Sequence, residues 1–420
     1  MDKKKLATEL YFAKEAAEYL GISMQRLNIL VKEGKIEPLK KTTSGTIFYI
    51  TDLEKRKKEQ EIFTKVYEGG TDAMFKFDTK EKKEALNFAT LMNVMRETEH
   101  SLEPKFEELS RYIDVTIPLS DNAVIDKYVE HFGATKLRLC EEYEKAYQAF
   151  LTLREDDEII KRGSEDYPPL LAETEQAPRF LYIRGKKSLL FEKRTVSLVG
   201  SRQASENAKE NTRMLTRILG KNGITVVSGL AKGIDVSGHM EALRCGFNTI
   251  AVIGTNINQY YPKENESVQR EIEKRGLVVS QFSPANKTER WFFPLRNGVM
   301  SGLSLATIIM EARETSGALK QADFALKQGR QIMIPRNALN LPNVTWPAKY
   351  VEKGAEVVDS PMDVLRKLAD NNIFKVKKNV PVQQTLEDYL RNESHQTTLT
   401  KTESDNATVD WPDPVFAGEN

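Results

Sequence analysis

Two stretches of this chain repeat one pattern, in which an apolar run ends in a small turn that contains glycine and one basic residue. The first run, Val196–Val199, ends in Gly200–Arg202, and the second, Ile224–Val227, ends in a turn that carries Lys232. A helical segment separates the two runs. Strand, helix and strand joined by such turns form a βαβ unit, which presents backbone N–H groups and a helix N-terminus to a phosphate. The segment Thr195–His239 therefore predicts a phosphate-binding α/β fold.

Further apolar runs continue this alternation of strand and helix. They lie at residues 249–253, 277–280, 306–310 and 331–334. The runs are rich in Val and Ile and do not alternate with polar residues, as expected of strands buried on both faces. We therefore predict an α/β fold with a Rossmann-like parallel sheet and helices on both faces. Ligands bind at the carboxyl ends of such strands, so the turns after the strands should converge on one edge.

Composition limits the remaining possibilities. The chain has 420 residues, so we expect two or three domains. Its formal net charge is +1, so a nucleic-acid site would have to be a local basic patch. Two cysteines and four scattered histidines have no metal-ligand spacing, and we expect neither a metal nor a cofactor. We find no apolar run long enough to cross a membrane and expect a cytoplasmic protein with no membrane partner.

Residues 1–60 predict a small DNA-binding domain. Two short helices flank Gly21, an alternating strand at Ile47 and Tyr49 follows a Ser44-Gly45 turn, and a third helix starts near Thr51. This order resembles the winged helix-turn-helix of the MerR and excisionase type, which implies contact with double-stranded DNA. The domain has a net charge of about +4. The predicted duplex contacts are Gln25, Arg26, Lys32, Lys35, Lys40 and Lys41. The alternative is a helical module that docks on protein.

Two other segments flank the α/β region. Residues 61–156 predict a helical connector, which is net acidic over 61–150 and should pack on itself or on a second copy. Pro118 and Gly133 should divide its helices. Residues 369–420 are polar and lack helical periodicity, so we predict a disordered tail.

Residues 157–368 resemble the DprA/Smf family of DNA-processing proteins. Several motifs carry the resemblance in order: Asp166-Tyr167-Pro168-Pro169-Leu170, Val199-Gly200-Ser201-Arg202, Ser228–Asp235 with His239, Tyr261-Pro262, Phe293–Asn297, Glu311-Ala312 and Ser316–Leu319. Each motif is weak alone, but the ordered set is specific. The resemblance implies a homodimer that binds single-stranded DNA, hands it to a RecA-type recombinase and catalyses no reaction.

The predicted strand-binding site combines both glycine turns with a downstream helix. Its residues are Gly200, Ser201, Arg202, Ser228, Gly229, Lys232, Gly233, Lys263, Arg296 and Asn297. Arginine presents a planar fork that suits phosphate, and glycine lets a ligand approach the backbone. Trp291 and Phe292 are equally consistent with base stacking and with core packing.

The same residues also admit structural interpretations. The two glycine turns are also consistent with tight strand-to-helix connections alone, and Arg202 with an ion pair to Asp235. Asp235 fits the N-cap of the next helix, and His239 fits a packed core histidine. Glu311 fits an acidic group that orders neighbouring loops better than it fits a catalytic one.

Two alternative functions are also consistent with the sequence. One is a nucleotide-sensing domain coupled to a DNA-binding regulator, and the other is a nucleotide hydrolase. Dinucleotide binding and ATP hydrolysis are disfavoured because neither G-x-G-x-x-G after the first strand nor G-x-x-x-x-G-K-[ST] occurs. The chain departs from the family pattern at Gly298, Gln321 and Arg336, and from its sequence we expect no C-terminal winged helix of the kind that many members carry. These departures weaken the inference of recombinase loading more than the inference of the fold.

Overall fold

A computed structural model of the chain describes residues 10–32, 36–42, 45–54, 76–340 and 344–370. It contains two compact units. The first comprises Met1–Phe77 with Phe150–Asp156, and the second comprises Asp78–Ala149 with Asp157–Asn420. Among the helices described, none has the length and apolar character needed to span a membrane. The predicted tail beyond residue 370, residues 61–75 of the predicted connector and Lys35 lie outside the described residues.

The first unit is a pair of short helices beside a small antiparallel sheet. Its elements are β1 (Leu10–Phe12), α1 (Ala13–Leu20), α2 (Met24–Lys32), β2 (Lys40–Thr42) and β3 (Gly45–Tyr49). The sheet order is β1-β3-β2, and residues 50–54 are helical. Gly21 ends α1 in the left-handed conformation, with φ of 65°, which glycine adopts without strain. Leu20, Leu27 and Phe48 are buried in its core.

Four helices open the second unit: α3 (Lys80–Met95), α4 (Glu99–Ser110), α5 (Ile125–Phe132) and α6 (Lys136–Phe150). Residues 78–149 are called the helical segment below. The helical segment belongs to the same unit as the sheet, which we did not anticipate from its sequence. The reason is the buried Arg179 of the sheet region, whose guanidinium pairs with Glu84 on α3 and with Glu103 and Glu107 on α4. Burying this arginine requires those carboxylates, so the helices are held on the sheet.

A nine-stranded sheet forms the centre of the second unit. Its strands are β4 (Glu158–Lys161), β5 (Phe180–Gly185), β6 (Thr195–Gly200), β7 (Thr225–Ser228), β8 (Thr249–Val252), β9 (Leu277–Ser280), β10 (Ala306–Glu311), β11 (Gln331–Pro335) and β12 (Glu356–Val358). Their order is β12-β11-β10-β6-β7-β8-β9-β5-β4. All six strands predicted from apolar runs are present in this sheet.

The sheet is mixed, and in this respect it differs from the predicted parallel sheet. Strands β6 to β12 pair in parallel, whereas β5 runs antiparallel to both β9 and β4. We did not predict β4, β5 or β12. β5 lies next to the edge strand β4, and an antiparallel strand near the edge of a largely parallel sheet is common in α/β proteins.

Helices cover both faces of the sheet, as predicted. They are α7 (Pro169–Ala172), α8 (Glu206–Lys221), α9 (Ile234–Arg244), α10 (Glu266–Arg275), α11 (Phe292–Gly302), α12 (Gly317–Lys327), α13 (Arg336–Leu339), α14 (Trp346–Glu352) and α15 (Pro361–Asp370). Alternate residues of β6 enter different cores: Val199 packs with α11 and α12, whereas Leu198 packs with α8 and α15. The resulting Rossmann-like α/β fold buries both faces of the strands.

The chain reverses its direction across the sheet between β6 and β10. From β6 it proceeds through β7 and β8 to β9, and then it returns to add β10, β11 and β12 on the other side. Connections that leave two neighbouring strands in opposite directions open a crevice at their carboxyl ends. The fold therefore places a ligand-binding crevice above Gly200 and Glu311, which are paired at that edge.

Candidate functional site

A cleft of about 790 Å³ occupies this crevice and is called the switch-point cleft below. Loops after β6 and β10 form two of its walls, and the first turns of α11 and α12 form the others. Its lining includes Gly200, Ser201, Arg202, Arg296 and Asn297 from the predicted site, together with Asp235. The carboxyl-end turns thus converge there, as expected of a doubly wound sheet.

The turn after β6 is held tightly against its neighbours. A Cβ on Gly200 would lie 2.4 Å from the Ile234 side chain, so only glycine fits there. The Ser201 backbone N–H donates to the Glu311 carbonyl at 2.7 Å, and the Ser201 hydroxyl accepts from the Gln203 N–H at 3.1 Å. These contacts fix the direction in which the next residue, Arg202, leaves the sheet.

Glu311 orders the loop that follows. Its carboxylate accepts from the Ser205 N–H at 3.1 Å and from the Ser205 hydroxyl at 2.7 Å. Ser205 is in turn the N-cap of α8, accepting from the Ala208 N–H at 3.2 Å. Glu311 therefore connects the end of β10 to the start of α8, which agrees with the structural interpretation of this residue.

The turn after β7 directs its polar groups inward. The buried Ser228 hydroxyl donates to the Leu198 carbonyl at 2.6 Å. The N–H groups of Gly229 and Ala231 donate to the Asp235 carboxylate at 3.2 and 3.4 Å. The Ser228 hydroxyl and the Gly229 N–H, which we predicted to bind phosphate, therefore donate to groups of the protein and hold the loop in place. Asp235 lies in the first turn of α9 rather than at its N-cap, and burial raises the pKa of its carboxyl.

Gly233 has a structural role in the same turn. Its φ is 78°, and a Cβ there would lie 2.3 Å from the Ser201 carbonyl oxygen. Glycine is required for both reasons, since an L residue would be strained and would also collide with backbone. Gly233 therefore brings the two turns together, and it is buried beneath the surface that a ligand would touch.

Arg296 braces the floor of the switch-point cleft. Its buried guanidinium donates to the Gly229 carbonyl at 2.6 Å and to the Val252 carbonyl. Burial lowers the pKa of Arg296 to about 10, so it is still charged at neutral pH. Asn297 donates to the Gly317 carbonyl at 3.2 Å, which fixes the start of α12 against α11. Both residues line the cleft while they hold its loops in place.

Four exposed cations surround the mouth of the cleft. They are Arg202, Arg290, Arg313 and Lys320. Within the described residues, none of the four side chains has a hydrogen bond or an ion pair. The N-terminus of α12 also faces the cleft through Ser316 and Gly317, and the helix dipole adds partial positive charge there. Together these groups form a site for more than one negative charge.

Lys232 and Lys263 lie apart from this group. Lys232 pairs with Glu264, and Lys263 pairs with Glu266. Both lysines are exposed, and neither lines the cleft. Their carboxylate partners reduce the charge that they present to a phosphate. They would contact a ligand only where it extends beyond the cleft.

The aromatic residues of this region divide between core and surface. Phe292 is buried and stacks on Phe282 with ring centroids 3.9 Å apart, so it belongs to the core. Trp291 is half exposed but does not line the cleft. Tyr261 and Phe293, whose rings are 5.1 Å apart, do line it. They are the aromatic surfaces available to a base at the mouth of the cleft.

His239 is isolated from this chemistry. It is fully buried, its Nδ1 lies 2.7 Å from the Thr249 hydroxyl, and burial lowers its pKa to about 3. A histidine that is neutral and enclosed at physiological pH cannot exchange protons with a ligand in the cleft. Within the described residues, no cluster of His, Cys, Asp and Glu has a geometry that would hold a metal.

Sequence reasoning missed Arg313 and Lys320. A signal for Arg313 was present, because it follows a predicted strand by a few residues, as Arg202 does, and precedes the Ser316-Gly317 helix start. Lys320 had no such signal. It reaches the cleft because α12 begins there, and the N-terminus of a helix could be placed at the cleft only once the strand order was known.

Fold and site together define a class: Rossmann-like α/β proteins with a basic cleft at the topological switch point and no dinucleotide or Walker motif. Comparison with known proteins is more specific. The family model of DNA recombination-mediator protein A matches residues 158–369, half of the chain, and the chain belongs to this family. Its function therefore lies in DNA processing and recombination.

Similarity to individual proteins agrees with this family assignment. The chain is 31% identical over 242 residues to DNA processing protein DprA of Bacillus subtilis, covering 57% of this chain and 82% of that protein. It is 38% identical over 202 residues to DprA of Streptococcus pneumoniae, covering 47% and 70%. The X-ray structure of the Streptococcus pneumoniae protein aligns with a TM-score of 0.55 and 28% identity, covering 69% of this chain and 98% of that one. The structural match thus extends over more of the chain than the family model does.

Proposed function

We propose that this protein binds single-stranded DNA in the switch-point cleft and acts as a recombination mediator in the cytoplasm. The observation that carries the proposal is the set of exposed cations at the cleft, Arg202, Arg290, Arg313 and Lys320, beside the N-terminus of α12. Such groups bind phosphate oxygens regardless of base sequence. Family membership supports DNA as the source of those phosphates.

A single strand fits this cleft better than a duplex does. The cations lie around a concave site at the edge of the sheet, and aromatic rings of Tyr261 and Phe293 line the same cleft. Stacking of unpaired bases on aromatic rings, combined with a basic groove, is the usual mode of sequence-tolerant single-strand binding. A duplex hides the faces of its bases and cannot use these rings.

The proposal includes no catalytic step. The three groups that could serve acid–base catalysis have partners or are enclosed: Asp235 accepts from backbone N–H groups, the half-buried Glu311 accepts from Ser205, and His239 is fully buried. A nucleotide hydrolase needs such a group free to reach a bound substrate. Loss of a base or phosphate from a nucleotide incubated with the protein would contradict this part of the proposal.

The direct test is the affinity for oligo-dT of wild type, Arg202→Ala and a matched control, Lys193→Ala. Lys193 is an exposed cation just before β6, at the opposite edge of the sheet from Arg202. Removing a cation that contacts phosphate should weaken binding about tenfold for Arg202→Ala, with no change for Lys193→Ala. Equal affinities for wild type and Arg202→Ala would refute the site.

Nucleotide sensing is the alternative for the same cleft. A mononucleotide would be held by the same cations, but it would not extend to other phosphates. We therefore expect a mononucleotide to compete with oligo-dT only at concentrations far above those of the oligonucleotide. Tight, saturable mononucleotide binding that excludes oligo-dT would favour a sensor over a recombination mediator.

The first unit supports a second proposed function, contact with duplex DNA. Its two helices and antiparallel hairpin have the order of elements in a winged helix-turn-helix. Gln25 and Lys32 on α2 and Lys40 and Lys41 on β2 are exposed. Arg26 also lies on α2. The hairpin lysines would contact phosphates, whereas Gln25 would reach base edges.

Recombinase loading and dimer formation complete the proposal. The resemblance to the DprA/Smf family implies both, and the match to the recombination-mediator family supports the first. We expect the protein to be a homodimer whose mass can be measured by light scattering. It should also accelerate assembly of a RecA-type recombinase on single-stranded DNA. A monomer that leaves assembly unchanged would limit the function to strand binding.

A further inference from the structure

A second cleft, of about 570 Å³, lies within the helical segment and is called the helical cleft below. It is formed by the end of α3, the end of α5 and the first turns of α6. Two arginines from different elements line it, Arg96 after α3 and Arg138 on α6. Both are exposed. None of the residues that line this cleft belongs to the proposed strand-binding site.

The charge of the helical cleft is opposite to that of its surroundings. The helical segment contains ten Lys and Arg against fifteen Asp and Glu, so it is acidic as a whole. Within the described residues, however, the side chains of Arg96 and Arg138 have neither an ion pair nor a hydrogen bond. Glu142, the acidic residue lining the cleft, pairs with Lys145 at 2.7 Å. The arginines are therefore available to an anion.

Arg96 occupies an unusual backbone position. It ends α3 in the left-handed conformation with φ of 56°, where glycine or asparagine is usual. An arginine there costs conformational energy that glycine would avoid. Its position directs a long cation from the end of α3 into the helical cleft, beside Arg138. A backbone outlier combined with a cleft of matching charge is consistent with a ligand site.

The helical cleft is connected to the switch-point cleft by one loop. The Asn93 side chain, which lines the helical cleft, donates to the Ala285 carbonyl at 3.2 Å. Five residues later the same loop reaches Arg290, which lines the switch-point cleft. Five residues span at most about 18 Å. The exposed Lys287 lies between them. The exposed Glu289 also lies on this loop, so the path between the two clefts carries Lys287 and Arg290 against one carboxylate.

We propose that the helical cleft binds the phosphate backbone of the same single strand after it leaves the switch-point cleft. Arg96 and Arg138 would each bind a phosphate oxygen, and Lys287 would lie along the path. This inference rests on the proposed function, since it extends the strand site from the sheet to the helical segment. It assigns the helical segment a direct role in DNA binding, although its net charge is negative.

The test is a double variant, Arg96→Asn with Arg138→Gln. Asparagine is chosen because it tolerates the left-handed backbone that residue 96 adopts. The matched control is Lys83→Gln with Arg111→Gln, which removes two exposed positive charges from the same segment outside the cleft. Affinity is measured for oligo-dT of about 6 and about 30 nucleotides, lengths that bracket a single-strand site.

The double variant should bind the long oligonucleotide about fivefold to tenfold more weakly than wild type. Its salt slope, the slope of log Kobs against log salt concentration, should be shallower by about 1.4. Its affinity for the short oligonucleotide should be unchanged, and the control should match wild type at both lengths. Wild-type affinity of the double variant for the long strand, or an equal loss in the control, would overturn this inference alone. Failure of wild type to bind either length would instead overturn the proposed function.

Discussion

Gly229 illustrates how a single missing side chain shapes the site. A Cβ at this position would lie 2.6 Å from the guanidinium of Arg296, which crosses the glycine to reach the Gly229 and Val252 carbonyls. We predict that Gly229→Ala lowers the free energy of unfolding by about 1–3 kcal/mol, the usual cost of overpacking a buried site. Urea denaturation measures this change.

Gly317→Ala is the matched control for that substitution. A Cβ on Gly317 has no neighbour within 4 Å, and the residue begins α12, where alanine is favourable. Its stability should stay within about 0.5 kcal/mol of wild type. If both glycine variants unfold at the same urea concentration, the predicted collision between a Cβ at residue 229 and the Arg296 guanidinium does not occur.

The buried His239 should make the free energy of unfolding depend on pH. Burial holds its folded-state pKa at about 3, well below the value of about 6.5 in an unfolded chain. As the pH falls, the unfolded state takes up the proton before the folded state does. The contribution of neutral His239 to stability is therefore fully present above about pH 6.5 and is lost as the pH drops toward 3. Between pH 6 and 4, unfolding free energy should fall more steeply in wild type than in His239→Gln, by up to about 1.4 kcal/mol per pH unit. Parallel pH profiles would show that His239 is not held neutral.

At the scale of elements, the start of α12 is the clearest test of the switch-point cleft. Arg313 precedes this helix and Lys320 lies in its first turns, and both line the cleft. Replacing both by glutamine should weaken oligo-dT binding about tenfold and reduce the magnitude of the salt slope by about 1.4. Fluorescence anisotropy at several salt concentrations provides both values.

Lys327→Gln serves as the control, since Lys327 is exposed at the opposite end of the same helix. Its salt slope should equal that of wild type. A similar reduction in both variants would mean that α12 contributes only general surface charge, and the N-terminus of the helix would lose its assigned role.

The first unit is tested independently through its hairpin. Lys40→Gln with Lys41→Gln should weaken binding to random-sequence duplex DNA several-fold while leaving oligo-dT affinity unchanged. Lys14→Gln, on α1, is an exposed control. Loss of oligo-dT binding in the hairpin variant, with duplex binding intact, would contradict the division of roles between the two units.

The elements show what the sequence could and could not predict. The apolar runs predicted six strands because each is buried on both faces, so its pattern needs no knowledge of its neighbours. The short antiparallel strands β4 and β5 were missed, since their place depends on the open edge of β9. Arg202 could be predicted as a cleft residue because a strand-end turn has one possible destination in a parallel sheet.

Other roles depended on contacts that no local pattern reveals. Ser228 and Gly229 have the residue types of a phosphate cradle, but Asp235 and the Leu198 carbonyl occupy their donors. Arg96 and Arg138 are far apart in sequence and lie in a segment whose overall charge suggested no DNA contact. The fold alone brings them into one cleft.

At the scale of the whole molecule, we propose a single-strand site on the second unit and a duplex site on the first unit. Joining two binding modules in one chain raises the effective concentration of the second once the first has bound. Substrates with a single-stranded tail beside a duplex should therefore bind more tightly than either part alone. Equal affinities for the tailed duplex and the free strand would argue against joint binding.

The central claim, that the switch-point cleft binds the phosphates of a single strand, is tested most directly by the salt dependence of oligo-dT binding. With the four exposed cations of the cleft engaged, the slope of log Kobs against log salt should be about −3, and it should become shallower in Arg202→Ala. A slope near zero, together with saturable binding of a mononucleotide at low concentration, would contradict the account.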